Sequence, residues 1–118
     1  MRTMVRIGGW TLALALALGA SAARADTVKG EVIDVSCYLG HGESGKGASH
    51  RKCAETCAKK GLPMGLLTED KQVWILLEDH DNADGYAAAI AKAAETITVE
   101  GRKVTQGGVN GLVVESVQ

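Results

Sequence analysis

Residues 64–78 read MGLLTEDKQVWILLE, two apolar runs (Met64 to Thr68 and Val73 to Glu78) separated by the polar stretch Glu69-Asp70-Lys71-Gln72. Short runs of this kind, rich in Leu, Val and Ile and bounded by turn residues, predict a β-hairpin. Towards the C-terminus, Asp84 to Glu95 is Ala-rich, with Tyr86, Ile90 and Ala94 at i, i+4 and i+8, which predicts a helix. Thr96 to Thr105 then carries Ile97, Val99 and Val104 in a strand-like pattern, Gln106 to Gly111 forms a turn, and Leu112 to Val117 is a last strand. Towards the N-terminus, Val28 to Ser36 reads as a first strand. Tyr38 to Ser49 is a Gly-rich loop. His50 to Lys60 is a helix with Ser49 at its N-cap, ended by Gly61 and Pro63.

The expected fold class is therefore mainly β with two helices. The order is strand, inserted loop and helix, strand, strand, helix, strand, strand. With the insertion (about residues 37–62) set aside, this is the β-β-β-α-β-β order of the OB-like five-stranded barrel. Closing such a barrel removes exposed edges, which suits short Val-rich strands.

Residues 1–25 have a different character. Arg2 and Arg6 precede an uncharged apolar or small-residue run from Ile7 to Ala20, and Ala23-Arg24-Ala25 is the small-x-small pattern that signal peptidase reads. The expectation is a signal peptide over 1–25, a single domain over 26–118, and a periplasmic or secreted location. The apolar run is too short to serve as a stable membrane anchor. The whole chain has 13 basic and 14 acidic residues; without residues 1–25 the balance is 10 to 14, a net charge of −4. With Trp74, Tyr38 and Tyr86 as its only aromatics, an acidic domain lacks the basic footprint and stacking platform of a nucleic-acid binder.

Chemistry concentrates in about twenty residues. Cys37 lies at the end of the first strand, and His50, Cys53 and Cys57 fall at i, i+3 and i+7 of the expected helix, on one face. If that face meets Cys37, three sulfurs and an imidazole converge as a Cys3His set, which suits copper(I) or zinc(II). The metal ion is then the principal partner, beside an unidentified periplasmic protein. Two alternatives stand beside it. Exported proteins carry oxidised cysteines, so Cys37 with Cys53 or Cys57 can form a disulfide that staples a binding or scaffold module for a peptide or glycan. An odd count leaves one thiol over, and a Cys in the first turn of a helix also suits thiol-redox chemistry. Haem c attachment is excluded because Cys57 is followed by Ala58, and no thioredoxin-type Cys-x-x-Cys occurs. His41 reads as an exposed loop residue, His80 as part of a solvated acidic helix entry, and Met64 and Trp74 as packing. No Ser-His-Asp order, phosphate loop or paired-carboxylate pocket argues for catalysis.

The segments Cys37-Tyr38-x-x-His41-Gly42, His50-x-x-Cys53-Ala54-x-x-Cys57 and Gly61-Leu62-Pro63-x-Gly65-Leu66-Leu67 resemble a family of small exported bacterial proteins with an OB-like domain. The resemblance covers nearly all of residues 26–118 and implies that fold. It implies no activity. The Cys-x-x-x-Cys spacing is locally similar to the copper motif of exported Sco-type copper chaperones, which differ in fold.

Overall fold

A computed structural model describes Gly19 and residues 24–118, so the leader reading over 1–25 lies almost wholly outside the described residues. The described strands are β1 (Asp26–Asp34), β2 (Met64–Leu67), β3 (Val73–Glu78), β4 (Thr96–Gln106) and β5 (Val109–Val117). They close into a barrel in the order β1-β2-β3-β5-β4, with β4 returning to β1. Every neighbour is antiparallel except β3 and β5. This is the expected five-stranded, OB-like barrel.

Period-two alternation builds its interior. Along β1, Val28, Gly30 and Val32 are buried, while Thr27 and Lys29 are exposed. Leu66, Leu76, Val99, Leu112 and Val114 complete the core, and Met64 is fully buried within it, as expected of packing. Helix α3 (Asp84–Ile90) lays Ala89 on this core, with Ala93 following in the turn beyond it. Helix α2 (Arg51–Lys59) adds Ala54.

Three differences from the sequence expectation have local causes. The first strand stops at Asp34, not Ser36, because the Asp34 side chain accepts from the Cys37 N–H at 3.1 Å. That N-cap starts a further helix, α1 (Val35–His41), so the described residues hold three α-helices and Cys37 sits on one of them. Helix α2 begins after His50, not Ser49. A 3-10 turn over Ala48–His50 leads into it, with the His50 N–H on the Gly47 carbonyl at 3.0 Å. Helix α3 ends at Ile90, well before Glu95. The Ala94 N–H instead donates to the Val32 carbonyl at 2.8 Å, and the Val32 N–H to the Glu95 carbonyl at 2.9 Å, which starts the pairing of β4 with β1.

One further feature follows the sequence closely and another departs from it. At the end of α2 the Leu62 N–H reaches the Cys57 carbonyl and the Gly61 N–H the Ala58 carbonyl, both at 3.0 Å, a Schellman closure before Pro63. Between β4 and β5 the turn is only Gly107-Gly108, at φ 56° and 77°, and Gln106 pairs with Val109. Positive φ at both central residues makes a type I′ turn, whose twist matches the strands. So β5 starts three residues earlier than the pattern of Leu112 onward suggests.

Candidate metal centre

The segment inserted between β1 and β2 brings two helix N-termini together. Asp34 caps α1, with Cys37 three residues on; His50 precedes α2, with Cys53 three residues on and Cys57 a turn further. One ligand atom from each of Asp34, Cys37, Cys53 and Cys57 lies within 4.8 Å of all the others. The Cys37 and Cys53 sulfurs are 3.9 Å apart. Tetrahedral zinc with Zn–S bonds of about 2.3 Å requires sulfurs roughly 3.8 Å apart, so this spacing needs little adjustment to take an ion.

Asp34 is the unusual member. It is fully buried (0 % exposed), the sole charged residue in the described core. Oδ1 accepts the Cys37 N–H; Oδ2 has no hydrogen-bond partner. A buried carboxylate oxygen left unpaired is costly, and native proteins usually supply it with a donor, water or ion. Burial pushes the Asp34 carboxyl up, but the Cys57 thiol, then the Cys37 N–H and thiol, outweigh burial and hold it below its ordinary value. The converse acts on the thiols. The Asp34 carboxylate, then burial, then Cys53 push Cys37 up to about 11. The same carboxylate and burial push Cys57 up to about 12. In the absence of an ion these shifts favour, at neutral pH, a carboxylate facing protonated Cys37 and Cys57 thiols. An incoming cation replaces those protons, since the thiolate is the form that ligates.

The site opens to solvent on the α2 side. Cys53 is exposed, while Cys37 and Cys57 are half-buried. The segment over 35–63 is basic, with Lys46, Arg51, Lys52, Lys59 and Lys60 against Glu43 and Glu55. The remainder of 26–118 carries twelve acidic and five basic residues. The thiols therefore lie on a positive cap over a negative barrel.

Of the four residues expected from the sequence, the structure brings three together: Cys37, Cys53 and Cys57. His50 lies outside the group of mutually close donors, one helical turn before Cys53, with Nε2 buried and without a hydrogen-bond partner. Asp34 joins the group instead. The signal for it was the Asp34-x-x-Cys37 spacing, an N-cap pattern masked by the apolar residues on either side. His41 and His80 are both exposed and outside the group. Trp74 packs against the core, with the Lys103 ammonium 4.9 Å from its ring centroid.

Among the described residues no helix is long and apolar enough to cross a membrane. Comparison with protein-family models, curated proteins and solved structures finds no match.

Proposed function

We propose that this is a metal-binding protein that holds one soft or borderline ion, copper(I) or zinc(II), through Cys37, Cys53, Cys57 and Asp34, and that it works in the periplasm or outside the cell. The observation that carries the reading is the buried Asp34 carboxylate, grouped with three sulfurs at ligand spacing and with its Oδ2 left unpartnered. Three thiolates select soft and borderline ions over calcium or magnesium. The fourth position goes to Asp34 rather than His50, because Asp34 is the residue whose donor atom falls inside the group. The leader pattern over 1–25 supports the location. An acidic barrel with few aromatics supports a partner other than nucleic acid.

Native mass spectrometry of the reduced protein, titrated separately with zinc(II) and copper(I), tests the reading. The expected result is one ion per chain. Cys53→Ser or Cys57→Ser should lower affinity at least about 100-fold, because a neutral hydroxyl is a poor ligand for a soft ion. His80→Ala, outside the site, should leave it unchanged. Absence of stoichiometric binding, or equal binding by the Cys→Ser variants, would overturn it.

A further inference from the structure

The three thiols are not equivalent, and their differences point to a second chemistry at the same site. Cys53 is exposed, so an incoming molecule reaches its sulfur first. Cys37 is half-buried, with its sulfur 3.9 Å from that of Cys53. These two cysteines belong to different helices, α1 and α2, so their sulfurs can close to the S–S bond length of about 2.05 Å by side-chain rotation and a small shift of a seven-residue helix. Cys53 and Cys57 share α2 one turn apart, where parallel Cα–Cβ directions and a fixed backbone oppose disulfide geometry. Cys57 also has Asp34 beside it, deeper in the site.

We propose that Cys53 and Cys37 form a thiol–disulfide exchange pair, with Cys53 the entering thiol, Cys37 the resolving thiol and Cys57 a bystander, and that closing this disulfide expels the bound ion. The oxidant is a disulfide, either a small molecule or a protein. The Cys53 sulfur attacks one sulfur of that disulfide. A mixed disulfide forms on Cys53, the oxidant's S–S bond breaks, and its first thiol leaves. The Cys37 sulfur then attacks the Cys53 sulfur. The Cys37–Cys53 bond forms and the second thiol leaves. Two protein sulfurs are oxidised and one external disulfide is reduced to two thiols; in the ion-free protein the two thiol protons end on the leaving sulfurs, and in the loaded protein, where the ion holds thiolates, the leaving sulfurs take their protons from water as the ion departs. Of the four donors only Cys57 and Asp34 remain, too few for a stable tetrahedral or trigonal site. The expulsion clause rests on the metal-binding reading; the assignment of the pair does not.

The experiment treats the reduced protein with oxidised glutathione, with and without one equivalent of zinc, then blocks residual thiols and maps the cysteines by peptide fragmentation. Cys53 and Cys57 fall in one tryptic peptide, so fragmentation between them makes the assignment. The expected product has lost two hydrogens, carries a Cys37–Cys53 link and is alkylated at Cys57. Cys37→Ser should accumulate a glutathione adduct at Cys53; Cys57→Ser should still form the link. A link to Cys57, or an adduct on Cys57 in Cys37→Ser, would overturn the pair, and mapping the unmutated protein decides this even if a variant fails to fold. In the zinc-loaded sample a chromogenic chelator should register one zinc released per disulfide formed. A disulfide formed with zinc retained would overturn expulsion alone. Failure of the reduced protein to take up zinc would overturn the metal reading and leave the map of the pair standing.

Discussion

At Asp34 one carboxylate oxygen holds the Cys37 N–H, the other has no partner, and the carboxylate stands in a group with three sulfurs. Asp34→Asn keeps the shape and removes the charge, so it separates the two candidate ions. Zinc(II), which takes oxygen as well as sulfur, should bind roughly 10–100-fold more weakly; copper(I), satisfied by three thiolates, should lose little. Parallel titrations of the two ions measure this. Protonation gives a second outcome. Because Cys37 and Cys57 titrate near 11 and 12, metal uptake should release protons and its affinity should rise with pH through the neutral range; affinities measured in buffers at several pH values check it. Without metal, the same shifts run the other way for stability. The folded protein holds these thiol protons more tightly than the unfolded chain, whose thiols have the ordinary value of 9.0. Stability is therefore full below about pH 9 and falls as pH rises towards 11–12, which denaturant unfolding at increasing pH should show. Cys53 and Cys57 were readable from spacing, one turn apart on a helical face, but the same i, i+3, i+7 series carried in His50, which lies outside the group, and Cys37 was readable only as a cysteine near the end of the first strand. Asp34 was not, because its part depends on where the strand stops. A local pattern of Val and Ile around it favours continuing the strand, and the cap that ends it is a tertiary arrangement as much as a local one.

Among the elements, the hairpin β2–β3 and the closing strand β5 follow directly from their apolar runs and bounding turn residues. The short helix α1 does not: Gly40 and Gly42 sit within or beside it, and its sequence reads as the end of a strand running into a loop. What makes it helical is the cap at Asp34 and its seat at the end of β1, where the Val35 N–H donates to the Pro63 carbonyl at 3.1 Å. The seam between β4 and β5 carries a testable irregularity. Glu100 lies opposite Ser116 and Gly101 opposite Val114, so Glu115 of β5 is the extra residue, and a Cβ at Gly101 would run into the Val113 carbonyl oxygen. A bulge that brings backbone against backbone leaves no room for a side chain. Gly101→Ala should therefore destabilise the barrel by about 1–3 kcal/mol, read as a lower urea midpoint with an unchanged slope. The exposed Cys53 should react with thiol reagents in that variant as before, since the bulge is far along the chain from the inserted segment.

For the molecule as a whole, the cysteine-bearing insertion meets the rest of the domain at the end of β1, at the start of β2, through Ala54 and Ala58 on the core, and through surface contacts: the Gly47 N–H on Glu31 and the ion pairs Arg51–Glu95 and Glu43–Lys71. An ion held by Asp34 from β1 and by cysteines from α1 and α2 ties all three together. Binding to the folded form alone stabilises it by about 2.7 kcal/mol at a hundredfold excess of free ion over Kd, a rise in Tm of roughly 10–20 °C for a domain of this size. Amide exchange should slow most over residues 35–63 on metal addition and change little in β4 and β5. The order of the strands bears on how the chain is made. β1 pairs with β2 along its second half and with β4 along its first, Asp26 lying opposite Gly101, and the parallel seam of β3 on β5 runs as far as Val114. A ribosome delivers β1 first and β5 last. Until β4 emerges the first strand has an unsatisfied side, and until β5 follows both the third and the fourth strands wait for the neighbour that closes the barrel. The growing chain therefore spends its whole synthesis as an open sheet with reactive thiols, a state that a holding chaperone would protect and that a premature stop near the end would leave permanent.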